Sequence, residues 1–185
     1  MSNRVCPWWI GYVLLNPLRR IRQDPRRLLG PLVREGMTVL EPGSGMGYFT
    51  LDLARMVGPG GRVVAVDLQD RMLKALRRRA LKAGLAERID ARRSEPDRLG
   101  VDDLAGAVDL VLALYVVHEM PDAGAFFSEA GGALRPGGRL LFAEPKWHVS
   151  GDAFARSLEA GERAGLTRQG DFVFPGTRAV LLARP

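Results

Sequence analysis

The chain alternates short, continuous apolar runs with stretches in which apolar residues return every three or four positions, the patterns of buried strands and amphipathic helices. Asn16-Pro17 and Asp24-Pro25 each join a capping side chain to a residue preset for the first helical turn. Two short helices are therefore expected first, the second ending near Gly36. Met37–Leu40 reads as the first buried strand, closed by Pro42-Gly43, and a helix follows over Tyr48–Val57 until Gly58-Pro59-Gly60-Gly61 stops it. Arg62–Val66 reads as strand two, ended by Asp67. Asp70 is expected to cap a long helix carrying Met72, Leu73, Leu76 and Leu81 to a stop at Gly84. Ile89–Arg93 is a weaker third strand, and Val108–Leu114 a nearly continuous apolar fourth. A helix over Asp122–Leu134 leads through Arg135-Pro136-Gly137-Gly138 into a fifth strand at Arg139–Ala143. A last helix, Asp152–Ala164, closes at Gly165, and strands near Leu166–Phe172 and Arg178–Ala183 meet at a Pro175-Gly176 turn. Such β-α alternation predicts a mostly parallel sheet covered on both faces, with right-handed crossovers and a terminal hairpin.

The 185 residues fit one domain over 32–185, preceded by a basic, aromatic helical extension over 1–31. Hydrophobic residues at 46% and charged residues at 26% mark an ordinary globular chain. The net charge of +6 is unevenly placed, because up to Val33 six arginines (Arg4, Arg19, Arg20, Arg22, Arg26, Arg27) stand against Asp24 alone. That segment can meet nucleic acid, acidic lipid or an anionic substrate, and it equally suits a solvated helix face. A lone cysteine, Cys6, excludes a disulfide framework and a Cys-based zinc site. With His118 and His148 the only histidines, no transition-metal site is expected. The apolar run Val5–Leu15 is too short to span a bilayer, and Asn16–Arg20 behind it is no cleavage signal. A cytoplasmic protein without a transmembrane segment is expected.

Candidate chemistry begins at Val39-Leu40-Glu41-Pro42-Gly43-Ser44-Gly45-Met46-Gly47. A glycine-rich turn between strand and helix lets backbone approach a ligand and aims helix N–H groups at it. Tyr48 stands where a dinucleotide fingerprint wants its third glycine, and no Gly-Lys-Ser/Thr follows, so dinucleotide binding and nucleotide hydrolysis both fit poorly. Asp67, at the end of strand two, can accept both hydroxyls of a ribose.

These residues resemble the class I S-adenosylmethionine-dependent methyltransferases. Val39–Gly47 is similar to that family's first motif, Val63–Leu68 to its acidic second-strand motif, Asp109–Leu112 to its fourth-strand motif, and Leu134–Leu140 to its turn before strand five. The resemblance implies a seven-stranded α/β sheet of order 3-2-1-4-5-7-6 with strand seven antiparallel, and S-adenosyl-L-methionine as cofactor. It further implies that Glu41, Gly43 and Gly45 contact the methionine part of the cofactor, with Ser44 and Gly47 of the same loop also binding it. Asp67 would hold the ribose, and Leu68 and Met72 would lie near the adenine. Where the family often has an acidic residue after strand three, this chain reads Arg93-Ser94-Glu95-Pro96, which leaves both Ser94 and Glu95 open for that place.

Strand four exits through Leu114-Tyr115-Val116-Val117-His118-Glu119. Ligands of open parallel sheets bind outside the carboxyl ends of the strands. Leu114 is therefore expected to touch the cofactor, and His118 either to take a proton from an attacking nucleophile or simply to wall the cleft. Glu144 and His148, after strand five, are candidate substrate contacts. Trp8, Trp9 and Tyr12 fit plain packing, a lid over the cleft, or an interfacial anchor. Methyl transfer from a sulfonium needs alignment and exclusion of water more than a metal or triad. No aromatic-basic RNA module is evident, so a small-molecule or exposed protein acceptor is favoured over nucleic acid. The rival readings are a non-catalytic cofactor binder of the same fold, an RNA methyltransferase using the basic segment, and a nicotinamide oxidoreductase, which Tyr48 and the hairpin disfavour.

Overall fold

The computed structural model describes residues 7–9, 11, 15, 16 and 18–185. Arg4, Val5, Cys6, Tyr12 and Pro17, on which some expectations above rest, lie outside the described residues. The chain forms two compact units, one through Ser94 and one from Glu95 onward. Its strands join in a seven-stranded sheet of order β3-β2-β1-β4-β5-β7-β6, built from β1 (Thr38–Pro42), β2 (Arg62–Asp67), β3 (Ile89–Arg93), β4 (Val108–Leu114), β5 (Leu134–Pro145), β6 (Thr167–Asp171) and β7 (Thr177–Ala183). Only β7 runs against its neighbours among the pairings with β5 and β6, while β1, β2 and β3 pair in parallel, as do β4 and β5.

In the first unit, α1 (Arg19–Arg22) and α2 (Pro25–Leu29) precede the sheet. Asp24 caps α2 by accepting the N–H groups of Arg26 at 2.8 Å and Arg27 at 3.2 Å, with Pro25 as first helical residue. The helix stops at Leu29, earlier than the expected end near Gly36, because Pro31 has no N–H with which to continue the ladder. Val63 to Asp67 of β2 are buried without a break, as they must be in a strand covered on both faces. Helices α3 (Thr50–Met56) and α4 (Asp70–Lys82) supply the cover. Asp70 is the first residue of α4, not its cap. The preceding turn is instead fixed by Asp67, whose Oδ1 accepts the N–H of Gln69 at 2.8 Å, while Asp70 places its charge on the helix start and 3.6 Å from Arg93. Met72, Leu73, Leu76 and Ala80 face inward, and Leu81, one position out of phase, is 73% exposed.

In the second unit, β4 and β5 carry the core, and α5 (Ala123–Ala133) and α6 (Gly151–Arg163) pack on it. Phe142 of β5 meets Phe127 of α5 edge-on at 5.4 Å and stacks on Phe154 of α6 at 4.6 Å. Each such buried ring contributes about 1.5–3 kcal/mol through burial alone. Asp122 and Ser150 cap the two helices, accepting from Gly124 and Ala125, and from Ala153, respectively. The pairing of β5 shifts between Val108 and Leu110, so the Arg135–Gly138 turn is a bulge within a strand longer than expected. At the far edge, β6 is short, exposed and irregular between Arg168 and Gly170, features that discourage pairing with another chain.

Candidate functional site

The first unit gathers the glycine loop and the end of β2. Past Pro42 the chain turns through Gly43, Gly45 and Gly47, at φ of 70°, 56° and 81°. The loop is tied to β2 by two bonds: Ser44 N–H donates to the Val66 carbonyl at 3.1 Å, and Gly45 N–H to Asp67 Oδ2 at 2.8 Å. The glycines differ in purpose. A Cβ on Gly47 would stand 2.3 Å from Leu76 Cδ1 and 2.9 Å from Leu51 Cδ1, so this position lets α3 and α4 close on the loop. A Cβ on Gly45 would meet no atom within 4 Å, which leaves the backbone open to a ligand.

Three buried polar side chains belong to this loop and the two strand ends it joins, Glu41, Ser44 and Asp67. Ser44 is buried, and its Oγ has no hydrogen-bond partner among the described residues. An orphaned buried hydroxyl costs about 1–3 kcal/mol, so its place in the fold calls for a partner or a role. Asp67 is 8% exposed, and each of its oxygens accepts one backbone N–H, from Gln69 and Gly45, leaving lone pairs for further donors. Burial pushes its pKa up, and those two N–H bonds pull it partly back. Glu41, at 3% exposure, accepts the Thr50 hydroxyl at 2.6 Å. Burial raises its pKa to about 8, against the lowering by Thr50 and with a smaller push from the charge of Asp67.

Of the expected adenine neighbours, Leu68 is half-buried, and Met72 is buried in a cluster with Met46 and Ala75 on which Leu15 packs. Ser94 is buried, and its N–H donates to the Asp67 carbonyl at 3.1 Å, which brings it beside the acidic residue of β2. Glu95 is exposed, with its N–H bonded to the Arg98 carbonyl. The donors and acceptors present therefore fit an adenosyl group: an open glycine backbone, an unsatisfied hydroxyl and a carboxylate with free lone pairs.

The second unit places its chemistry at the ends of β4 and β5. Leu114 is buried, and Tyr115 follows at φ 61°, a left-handed conformation that costs a non-glycine residue of order 1–3 kcal/mol. It is held by its N–H bond to the Ala143 carbonyl at 2.9 Å and by edge contact with Phe174. The reversal delivers Val117–Glu119 as a single 3₁₀ turn with His118 at its centre. Glu144 of β5, only 2% exposed, accepts twice from that residue: the backbone N–H at 3.0 Å and Nδ1 at 2.6 Å. Since a carboxylate offers only acceptors, the neutral ring carries its proton on Nδ1, and in that form Nε2 keeps its lone pair. Burial opposes the imidazolium, but the hydrogen bond and charge of Glu144, with the charge of Glu119, prevail and raise the His118 pKa. The expected substrate contact Glu144 is thus committed to His118, while the His148 ring lies 4.9 Å from that of His118 and is exposed.

Sequence reasoning missed Asp52. This α3 carboxylate is 1% exposed and is gripped by Arg20 of α1, by Arg26 of α2 at 3.3 Å and by Arg55 at 3.2 Å. Its signal was the arginine excess before β1, part of which exists to dock α1 and α2 onto α3. Arg19 joins them, its guanidinium 4.2 Å above the Tyr48 ring. Among the described residues, no group of His, Cys, Asp and Glu is placed to hold a metal ion, and no helix is long and apolar enough to cross a membrane.

Residues 33–167 match a family described as "Methyltransferase domain". The ubiquinone biosynthesis O-methyltransferase of Methylocella silvestris is 34% identical over 155 residues, which are 83% of this chain and 58% of that protein. The ubiquinone/menaquinone biosynthesis C-methyltransferase of Hahella chejuensis is 33% identical over 112 residues, 60% of this chain and 44% of that one. This chain thus spans only about half the length of these relatives. Among solved structures, a SAM-dependent methyltransferase from Aquifex aeolicus superimposes with a TM-score of 0.86 at 23% identity, covering 98% of this chain and all of that one. The [4+2]-cyclase SpnF also shares the fold, with a TM-score of 0.69 at 15% identity over 90% of this chain and 80% of that one.

Proposed function

This chain belongs to the class I S-adenosylmethionine-dependent methyltransferase family, and on that premise we propose that it methylates a hydroxyl group of a small molecule, with His118 as the base. The observation that carries the reading is the pair of hydrogen bonds from His118 to the buried Glu144, one from Nδ1 at 2.6 Å and one from the backbone N–H at 3.0 Å. A neutral imidazole so held presents one acceptor, Nε2, in a fixed direction. A base of raised pKa is what a weakly acidic O–H needs, whereas an amine or a carbon nucleophile of an activated ring depends on it less. The naming of the Methylocella silvestris relative as an O-methyltransferase of ubiquinone biosynthesis supports the same acceptor class.

The cofactor, when bound, supplies a methyl group already activated on a sulfonium. The chain's own residues do the remainder. Gly45 gives its open backbone and Ser44 its unpaired hydroxyl, while Asp67 accepts from the ribose hydroxyls through the lone pairs left by Gly45 and Gln69. Glu41 lends negative charge to the cationic end of the ligand once it ionises. His118 Nε2 would take the acceptor's hydroxyl proton as the oxygen bonds to the methyl carbon and the methyl–sulfur bond breaks, its electron pair staying on sulfur. Glu144 would hold the resulting imidazolium.

Incubating the protein with methyl-labelled S-adenosylmethionine and a cell extract, then separating small molecules, protein and RNA, tests the acceptor class. Label is expected in the small-molecule pool. His118→Ala is expected to bind the cofactor as tightly by calorimetry but to transfer at least about 100-fold more slowly. Label confined to protein or RNA, or unchanged turnover in His118→Ala, overturns the reading. Tight binding with no transfer to any pool favours a second reading, a cofactor binder without methyl transfer, to which the shared fold of the SpnF cyclase lends weight.

A further inference from the structure

Two features take no part in the chemistry above: the exposed tryptophans near the amino end and the cations of α4. Up to Ser94 the chain has eighteen Lys and Arg against eight Asp and Glu, a net charge of +10, whereas from Glu95 on it has nine against thirteen, a net of −4. The imbalance is concentrated on α4, whose thirteen residues include Arg71, Lys74, Arg77, Arg78, Arg79 and Lys82 against the single acid Asp70. Two of these cations are used internally, Arg77 on the Ala91 carbonyl and Arg79 on the Met46 carbonyl. Lys74, Arg78 and Lys82 form no ion pair with any described residue.

The helical period places Arg71, Lys74, Arg78 and Lys82 along one stripe, with the 73% exposed Leu81 among them. Trp8 stands beside the stripe, its ring 4.9 Å from the Arg71 guanidinium. Trp8, Met46, Ala75 and the cations Arg71, Lys74 and Arg78 line a shallow groove of about 270 Å³ there. Trp9, next in the chain, is 56% exposed. The groove thus has an apolar floor, a rim of three positive charges and no acid.

We propose that this face docks on an anionic lipid bilayer, with a headgroup anion among Arg71, Lys74 and Arg78 and with Trp8 and Trp9 at headgroup depth. Charge complementarity selects an acidic partner, at about fivefold in affinity per Lys or Arg brought near the surface. The apolar groups select lipid over nucleic acid: indole rings and an exposed leucine between cations gain by entering the headgroup boundary. An aliphatic side chain adds little on a phosphate backbone. A single small anion would leave Trp9 and Leu81 unexplained. The inference is independent of the acceptor reading, since Trp8, Trp9, Lys74 and Arg78 are given no part in holding the cofactor or in serving His118.

Cosedimentation of the full chain with phosphatidylcholine vesicles, with and without phosphatidylglycerol, tests it. The protein is expected on the phosphatidylglycerol vesicles only. Lys74→Gln/Arg78→Gln should weaken that binding by about 25-fold, from the loss of two cations. Trp8→Ala/Trp9→Ala should leave a weaker, wholly salt-sensitive remainder, and the wild-type tryptophan emission should shift to the blue on binding. Calorimetry with S-adenosylmethionine, unchanged in both variants, shows that they fold. Equal binding to neutral vesicles, or full binding by Lys74→Gln/Arg78→Gln, overturns the proposal. So does capture of a single-stranded RNA oligonucleotide, or of free octanoate, by a protein that ignores the vesicles.

Discussion

Replacing Glu41 by glutamine should stabilise the ligand-free protein in alkaline solution and leave it nearly unchanged in acid. The folded carboxyl has its pKa raised from the ordinary 4.5 to about 8, chiefly because it is buried at 3% exposure with one hydroxyl bond from Thr50. A raised carboxyl pKa means that the folded state binds the proton more tightly than the unfolded chain. Its contribution to stability is therefore fully present below 4.5 and lost progressively as the pH rises towards 8. At about 1.4 kcal/mol per pH unit, the loss over that window is on the order of 5 kcal/mol, a large part of the roughly 5–15 kcal/mol that holds a domain together.

Glutamine keeps the size and can still accept from Thr50, but it cannot ionise, so Glu41→Gln removes the pH dependence and little else. Urea unfolding of both proteins without cofactor, at steps from pH 4.5 to roughly pH 9, measures the difference directly. The variant should match the wild type within about 1 kcal/mol at the acid end and exceed it by several at the alkaline end. Asp67 and His118, whose pKa values are also raised, lose stability in the same direction but do so in both proteins, so they cancel in the comparison. Parallel profiles across the whole range would show that Glu41 ionises normally in the folded chain, and would refute the reasoning.

A cation bound beside Glu41 ionises it, so S-adenosylmethionine binding near neutral pH should release a proton, and its affinity should rise by up to about tenfold per pH unit below 8. Calorimetry in two buffers of different ionisation enthalpy reads the proton count, and equal heats would contradict the link. Glu144→Gln should leave cofactor affinity intact while moving the alkaline-active limb of the rate profile to lower pH, since the partner that raises the His118 pKa is gone; an unmoved limb would exclude Glu144 as its positioning residue. Gly47→Ala should cost about 2–4 kcal/mol in thermal unfolding, from a Cβ 2.3 Å from Leu76 Cδ1 and a φ of +81°. Asp52→Asn should cost about 1–2 kcal/mol, discounted because its arginine partners are half-exposed, with hydrogen exchange rising in α1 and α2 first.

The strands were legible because burial on both faces writes itself as unbroken apolar runs, so β2 and β4 stand within a residue of the expected Arg62–Val66 and Val108–Leu114. The family motifs added the strand order, which periodicity alone does not supply. Boundaries failed where one side chain took over the role expected of another. Asp67, accepting from Gln69 two residues on, makes the local turn that Asp70 was expected to cap, and two carboxylates three positions apart offered that choice without deciding it. The loop glycines were visible, but their division into an open position at Gly45 and a packing position at Gly47 depends on Leu51 and Leu76, which come from two helices. His118 was visible as a candidate, whereas its partner lies twenty-six residues away on β5, a separation that only strand pairing closes.

The buried carboxyls tie these observations to a ligand. Among the described residues four acids are buried: Glu41, Asp52, Asp67 and Glu144. Asp52 has three arginines, and Glu144 has a histidine able to take a proton. Glu41 and Asp67 have only neutral donors, a threonine hydroxyl for one and two backbone N–H groups for the other. A chain selected for stability alone would give such groups a counter-charge or replace them, because an uncompensated buried carboxyl either destabilises the fold or takes up a proton. Both instead lie at the carboxyl ends of neighbouring parallel strands, close enough for the charge of one to raise the pKa of the other. A ligand bringing positive charge and hydroxyl donors to that place would relieve both at once, and an adenosyl sulfonium carries the two together.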